Sequence, residues 1–212
     1  MDACCEQKAQ EITSLRGEHK KVLVVVLLIN AVLFVVEATA GVLAHSTALL
    51  ADSLDMLGDS LVYGFSLYVL WRSAEWKARA AVFKGIVMAA FGVGVLAEAI
   101  YKMTAEVVPF AETMGIIGLL VLLGNGLCFL LLFRHRSDDL NMRSTWLCSR
   151  NDIIANVSVL VAAIGVKLLN TSWPDILIGA AIAALFLRSA FTLLRESLLE
   201  LRILRSQSTS AA

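Results

Sequence analysis

The stretch LLADSLDMLGDS, residues 49–60, places three aspartates, Asp52, Asp55 and Asp59, between flanks built almost wholly from Val, Leu, Ala, Ile and Phe. Carboxylates on a soluble helix face water, but here the apolar flanks leave no polar face to receive them. The composition of the chain explains the setting. Of its 212 residues 58% are hydrophobic and 17% charged, and the mean hydropathy is +0.78. Soluble domains hold about 45–50% apolar residues. Runs of about 20 apolar residues match a hydrocarbon layer roughly 30 Å thick. The chain therefore reads as an all-α, multi-pass membrane protein, and residues 49–60 as part of a membrane span that carries acids.

Six spans are expected, over residues 22–44, 46–71, 78–101, 114–133, 142–169 and 174–194. The second and fifth hold the acids, so hydropathy alone marks them weakly. The first run is not a secretory leader, because Glu37 lies within it and no cleavage site follows. Lys8, Arg16, Lys20 and Lys21 precede the first span, Arg72, Lys77 and Arg79 follow the second, Arg134, Arg136 and Arg143 follow the fourth, and Arg195, Arg202 and Arg205 follow the sixth. The opposite side holds little beyond Lys102 and Lys167. That asymmetry predicts both termini in the cytoplasm. The expected organisation is a cytoplasmic tail over 1–20, a six-helix transmembrane domain over 21–199 and a short cytoplasmic tail over 200–212. Zero formal net charge implies no nucleic-acid partner. Cys4, Cys5, Cys128 and Cys148 show no disulfide framework, and the first two fall in a tail where cytosolic thiols stay reduced.

Asp55 and Asp59 are four residues apart and share one helix face. Cys148 and Asp152 repeat that spacing in the fifth span. Counting from opposite ends of their helices, both pairs reach a depth of roughly 15 Å. A carboxylate at that depth costs a few kcal/mol and marks a cavity, a partner or an ion. Three carboxylates and a thiolate can enclose a divalent cation, and the mixed oxygen and sulfur set suits zinc best, with cadmium, cobalt or ferrous iron as further candidates. The alternative is that the acids pair with Arg150 or Lys84 and hold the bundle together; four matched positions on two helices favour the ion. Asp52 reads as a helix-pairing hydrogen bonder, with exit ligand and proton acceptor as alternatives. Glu37, Asn30 and Asn125 read as structural polar groups, Glu37 with Lys84 or Arg150 as its partner and with a lesser claim on the cation path. Asn151 and Asn156 could line the site, and Cys128 reads as packing. His45 belongs to an outer loop, His135, Asp138 and Asp139 to a charged inner loop, and Cys4, Cys5, Asp2, Glu6 and His19 to a tail with free thiols.

The runs HSTALLADSLDMLGDS, NMRSTWLCSRNDIIANVSVLVAA and WPDILIGAAIAALFLRSAFTLLRESL resemble the second, fifth and sixth spans of the cation diffusion facilitator (cation efflux) family. NAVLFVVEATAGVLAHS resembles its first span and GLLVLLGNGLCFLLL its fourth, in the same order over about residues 22–199. The resemblance implies export of zinc or similar divalent cations from the cytosol by proton antiport, in homodimers of six-span subunits. Its mid-membrane metal site carries over onto Asp55, Asp59, Cys148 and Asp152. Cys148 stands where most members have histidine, and a thiolate favours cadmium or zinc over manganese. The sequence in hand stops before the metal-sensing C-terminal domain of many members, so it resembles a short form whose dimer contacts would lie in the spans.

These readings converge on a proton-coupled antiporter in the lipid bilayer, most simply a bacterial inner membrane. Its substrates are divalent metal ions and protons, with no cofactor beyond the transported ion and no enzymatic activity. The competing class is a non-transporting metal sensor or interaction subunit of the same fold. A passive channel fits less well, because four charged ligands hold a divalent ion too tightly for fast conduction.

Overall fold

The computed structural model describes residues 17–69, 74–105, 107–134 and 140–210; the Cys4, Cys5, His135, Asp138 and Asp139 readings lie outside them. The described residues form six helices and no strand: α1 (Gly17–Leu43), α2 (Thr47–Val69), α3 (Ala74–Ala105), α4 (Ala111–Arg134), α5 (Leu140–Leu169) and α6 (Trp173–Ser210). Five of them are long and apolar enough to cross a membrane. The exception is α2 with its three aspartates, as expected; α5, expected to be marked as weakly, is apolar enough over Asp152–Leu169. Each helix coincides with an expected span. The largest difference is α6, which runs on through the polar residues to Ser210. Gly179 is the only glycine or proline after Pro174, so nothing in that sequence stops the helix.

The connections at 44–46, 107–110 and 170–172 lie at one end of the bundle, here called the hairpin end; the other, where α1 begins and α6 ends, is called the termini end. Tight capping makes the short turns there. After α1 the Ser46 N–H bonds to the Gly41 carbonyl at 2.9 Å and the His45 N–H to the Val42 carbonyl at 3.2 Å, with His45 left-handed at φ 51°. This is the Schellman pattern, with histidine where glycine is usual. Asn170 closes α5 in the same left-handed conformation, φ 48°.

Helix α2 packs against α1, α3 and α6, and more lightly against α5. Small residues make its approach close: Ala51 and Leu54 join Met88, Val95, Ala183, Phe186 and Ala190 in one buried cluster across α2, α3 and α6. A second cluster of Leu33, Met56 and Val121 binds α2 to α1 and α4. Between α3 and α6, Gly85 faces Leu194 and Gly92 faces Leu187. Both pairs are seven residues apart in opposite directions, so the two helices are antiparallel with leucine knobs seated over glycines. The outward residues Leu28, Val32, Ile116, Leu123, Leu130, Ile164, Leu168 and Leu177 are exposed and apolar, as a surface facing lipid tails requires. Along residues 47–59 the helix bearing three carboxylates is mostly buried.

Candidate metal centre

The acids of α2 divide by position. Asp52 is completely buried, Asp59 nearly so, and Asp55 half-buried. Asp55 lines a cavity of about 510 Å³ between α2, α5 and α6, whose other walls include Ile154, Val157, Val161, Ile178 and Ile182. Among the described residues it is the single charged group of that lining. Asp152 is half-buried on α5. Cys148, Arg150 and Asn151 lie on the α5 helix, but their side chains fall outside the described residues.

One hydrogen bond fixes how α2 and α5 are placed along each other. The Asn156 Nδ2 donates to Asp52 Oδ2 at 2.6 Å. The Asn125 Nδ2 on α4 donates in turn to Asn156 Oδ1 at 2.8 Å, which holds the Asn156 amide in the orientation that presents its N–H₂ to Asp52. All three side chains are buried, so this is a polar tie across α2, α5 and α4 inside an apolar bundle. From that pin, helical rise sets the levels of the remaining residues. Moving toward the termini end by about 1.5 Å per residue, Asp55 lies roughly 4.5 Å and Asp152 roughly 6 Å beyond the pin. Asp59 lies roughly 10.5 Å and Cys148 roughly 12 Å beyond it. The two helices are antiparallel, so the four predicted ligand positions form two matched layers one helical turn apart: Asp55 with Asp152, then Asp59 with Cys148. Among the described residues no group of three or more His, Cys, Asp or Glu side chains converges on one ion-sized point. Asp55, Asp59 and Asp152 therefore do not by themselves close a site in this conformation.

Asp52 is thus a helix-pairing hydrogen bonder, and Asn156 reaches Asp52 one turn from Asp152. Glu37 requires a correction. Its expected partners are Lys84 or Arg150; instead the Glu37 carboxyl, fully buried on α1, lies against that of Asp52 and near Asp55, while the Arg150 side chain is outside the described residues. A polar group within an apolar span is expected to find a partner across helices, but the sequence does not say which neighbour it meets. Asn30 on α1 bonds back to the Val26 carbonyl at 2.9 Å and touches the buried Cys128 at 4.0 Å, in line with packing roles for both. His45 is exposed, its ring 6.4 Å from that of Phe110. The residues that sequence reasoning passed over are Asp175 and Lys102. Lys102 enters the sequence reading only as a charge on the side opposite the termini and Asp175 is given no role there, yet both are buried.

Asn156→Leu tests the tie. It leaves Asp52 Oδ2 buried without its donor, a loss of about 1–3 kcal/mol. Apparent melting temperature in detergent should fall, and Asn156→Asp should not restore it, because a carboxylate offers Asp52 no N–H. An unchanged melting temperature for Asn156→Leu would show that the pin does not hold the helices.

Known proteins share this pattern of spans. Residues 23–202 match the family model of the cation efflux transmembrane domain. A zinc transporter ZitB from Yersinia pestis is 32% identical over 107 residues, covering 49% of this chain and 34% of that protein. A zinc transporter ZitB from Yersinia pseudotuberculosis serotype I (strain IP32953) is 31% identical over 107 residues, with the same coverage. The matched segment thus spans about a third of the length of these curated relatives.

Proposed function

This chain belongs to the cation efflux family and is a multi-pass membrane protein, and on that premise we propose that it exports divalent transition-metal cations, zinc foremost, in exchange for protons. The observation that carries the reading is the pinned register of α2 and α5, which supports Asp55 with Asp152 and Asp59 with Cys148 as two facing ligand layers. The ZitB relatives are named as zinc transporters, which favours zinc over the other candidates. The positive-charge asymmetry puts the termini end in the cytosol and the hairpin end outside, in a bacterial inner membrane, with a homodimer as the working assembly.

The chemistry follows from the donors. Cytosolic metal meets Asp55, Asp59, Asp152 and Cys148, displacing the thiol proton and any carboxyl proton. Three carboxylates and a thiolate satisfy tetrahedral coordination, and their four negative charges more than offset the two of the ion. Helix rocking then opens the same layers to the outside, where protons compete for the ligands and free the ion. Next to this site the buried carboxyl groups of Glu37 and Asp52 lie against each other, a pair able to share a proton beside the path. No bond of the substrate is made or broken, so the protein acts as a carrier and not as an enzyme.

The test is zinc and cadmium flux in proteoliposomes under an imposed pH gradient, with wild type beside Cys148→His. Gradient-driven flux is expected in wild type. The ordinary thiol pKa is near 8.5 and that of imidazole near 6.5. Protons therefore compete with metal for cysteine at a higher pH than for histidine, and the histidine variant should keep its zinc affinity to lower pH by one unit or more. Its cadmium-to-zinc preference should drop by about tenfold, since imidazole is the harder ligand. Absence of flux of either metal at every gradient, from folded protein, would favour the sensor reading.

A further inference from the structure

At the hairpin end a buried ion cluster grips the first turn of α2. Asp175 is the third residue of α6 and is completely buried. Its carboxylate accepts hydrogen bonds from the Ser46 hydroxyl at 2.6 Å, the Thr47 N–H at 2.8 Å and the Ala48 N–H at 3.0 Å. Ser46 also accepts from the Leu49 N–H at 3.1 Å, as an N-cap does. The remaining orphan N–H groups of α2 are thus satisfied by a carboxylate from another helix, and that negative charge sits where the α2 dipole is positive.

Lys102, in the last turn of α3 and 3% exposed, supplies the cation. Its ammonium donates to the His45 carbonyl at 2.7 Å and to Thr47 Oγ1 at 3.0 Å. It pairs with Glu98 at 2.9 Å and approaches Asp175 Oδ2 at 3.9 Å. The start of α4 joins through the Phe110 N–H on the Ala44 carbonyl, 3.0 Å. Beside the cluster, at the same end, Ala44, Ala48, Leu49, Met114, Val159 and Val166 form an apolar core, all close to fully buried.

A buried ion cluster is seldom the most stabilising way to join helices, because desolvating the charges offsets much of their attraction. What it provides is one defined arrangement, lost as a unit when a partner leaves. The helix it grips is the one that carries Asp55 and Asp59. We propose that Asp175 and Lys102 are positioning residues of transport: they hold α2 in the state closed at the hairpin end, and the ion leaves only when the Asp175 cap parts from α2. This inference rests on the export reading above.

The test uses the full chain in proteoliposomes. Ala51→Cys, on α2 one turn below the capped residues and fully buried, reports access from the hairpin end. A membrane-impermeant maleimide is added on that side, and labelling of the introduced thiol is followed by mass spectrometry of the peptide that contains it. Labelling should be slow with the cluster intact. Asp175→Asn puts an amide N–H₂ against donors, and Lys102→Met removes the cation; either should speed labelling by about tenfold as the open state gains population. Lys102→Arg, which keeps the charge, should stay within about twofold of the parent. In transport, apparent KM for zinc from the termini end should rise about fivefold with Lys102→Met, because a smaller fraction of the protein is in the receptive state. A merely structural cluster would lower the amount of folded protein and leave KM and labelling rate per folded molecule unchanged, and that result overturns the proposal. If Asp175→Asn does not fold, Lys102→Met and its arginine control carry the test alone. Faster labelling in the variants with no metal flux in the parent would sink the export reading and leave the closing role of the cluster standing.

Discussion

Asp152→Ala is expected to cut gradient-driven zinc flux by a hundredfold or more while leaving a folded, monodisperse protein. Substituting a group that merely orients a metal ligand already costs about 10–100-fold in affinity, so loss of a ligand should cost at least as much. Asp152 lies on α5 at the level of Asp55 on α2, by the register that the Asp52–Asn156 bond at 2.6 Å fixes. Its carboxylate would supply one of the four donors around the ion, and alanine leaves that layer with Asp55 alone. Asp152→Asn separates charge from shape: it keeps an oxygen donor and the side-chain volume but should still lose most of the flux, because a neutral amide is a weak partner for zinc. Equilibrium zinc binding to detergent-solubilised protein checks the same point without transport. Should both variants transport zinc at the wild-type rate, Asp152 is not a ligand and the two-layer site is wrong. Should flux and melting temperature fall in proportion, Asp152 holds the bundle together instead.

Much of this arrangement is legible in the sequence, and the limit of legibility has a physical form. Helical spacing states which residues share a face, so Asp55 with Asp59 and Cys148 with Asp152 are readable as pairs. Length and apolar flanks define α2 as a span even though its aspartates leave it outside the five helices apolar enough to cross a membrane. What spacing leaves open is rotation about the helix axis relative to a neighbour. That is why Glu37 is expected at Lys84 or Arg150 and is found beside Asp52. It is also why Asn156 is readable only as a group near the site, when its work is to pin α5 to α2. Asp175 illustrates a third limit. An aspartate in the first turn of a helix is the ordinary signature of a local cap, and nothing in residues 170–180 says that its oxygens reach the start of a helix more than 120 positions earlier. Long-range polar contacts of this kind depend on how closely the backbones approach, and small residues set that distance.

Gly179 is the residue that sets it here, and Gly179→Ala is the second large effect expected. Asp175 and Gly179 are four apart on α6 and share one face. The carboxylate of the first caps α2, and the missing side chain of the second lets the helix come near enough to do so. A Cβ at position 179 would stand 2.6 Å from the Thr47 carbonyl carbon, 2.8 Å from the Ala48 nitrogen and 2.8 Å from Thr47 Cγ2. Two of those three atoms are backbone at the first turn of α2, which cannot rotate aside. The methyl group is accommodated only if α6 and α2 separate, and separation lengthens the same three hydrogen bonds that Asp175 accepts. Overpacking of this kind costs about 1–3 kcal/mol, and the weakened cap adds about 1 kcal/mol. A loss of roughly 2–4 kcal/mol corresponds to about 5–15 °C in apparent melting temperature for a chain of this size. Gly94→Ala is the matched control: a Cβ there meets nothing within 4 Å, so the change should be neutral or slightly stabilising. Thermal unfolding of both variants in one detergent decides the matter, and equal melting temperatures would show that α2 and α6 are not held at the distance described. Because the strain at 179 is relieved by moving α2 away from Asp175, Gly179→Ala should also speed maleimide labelling at position 51 in the Ala51→Cys background. A side chain absent from one helix and a carboxylate one turn away on the same face then act on a single coordinate, the gap between α6 and the first turn of the helix that carries the ligands.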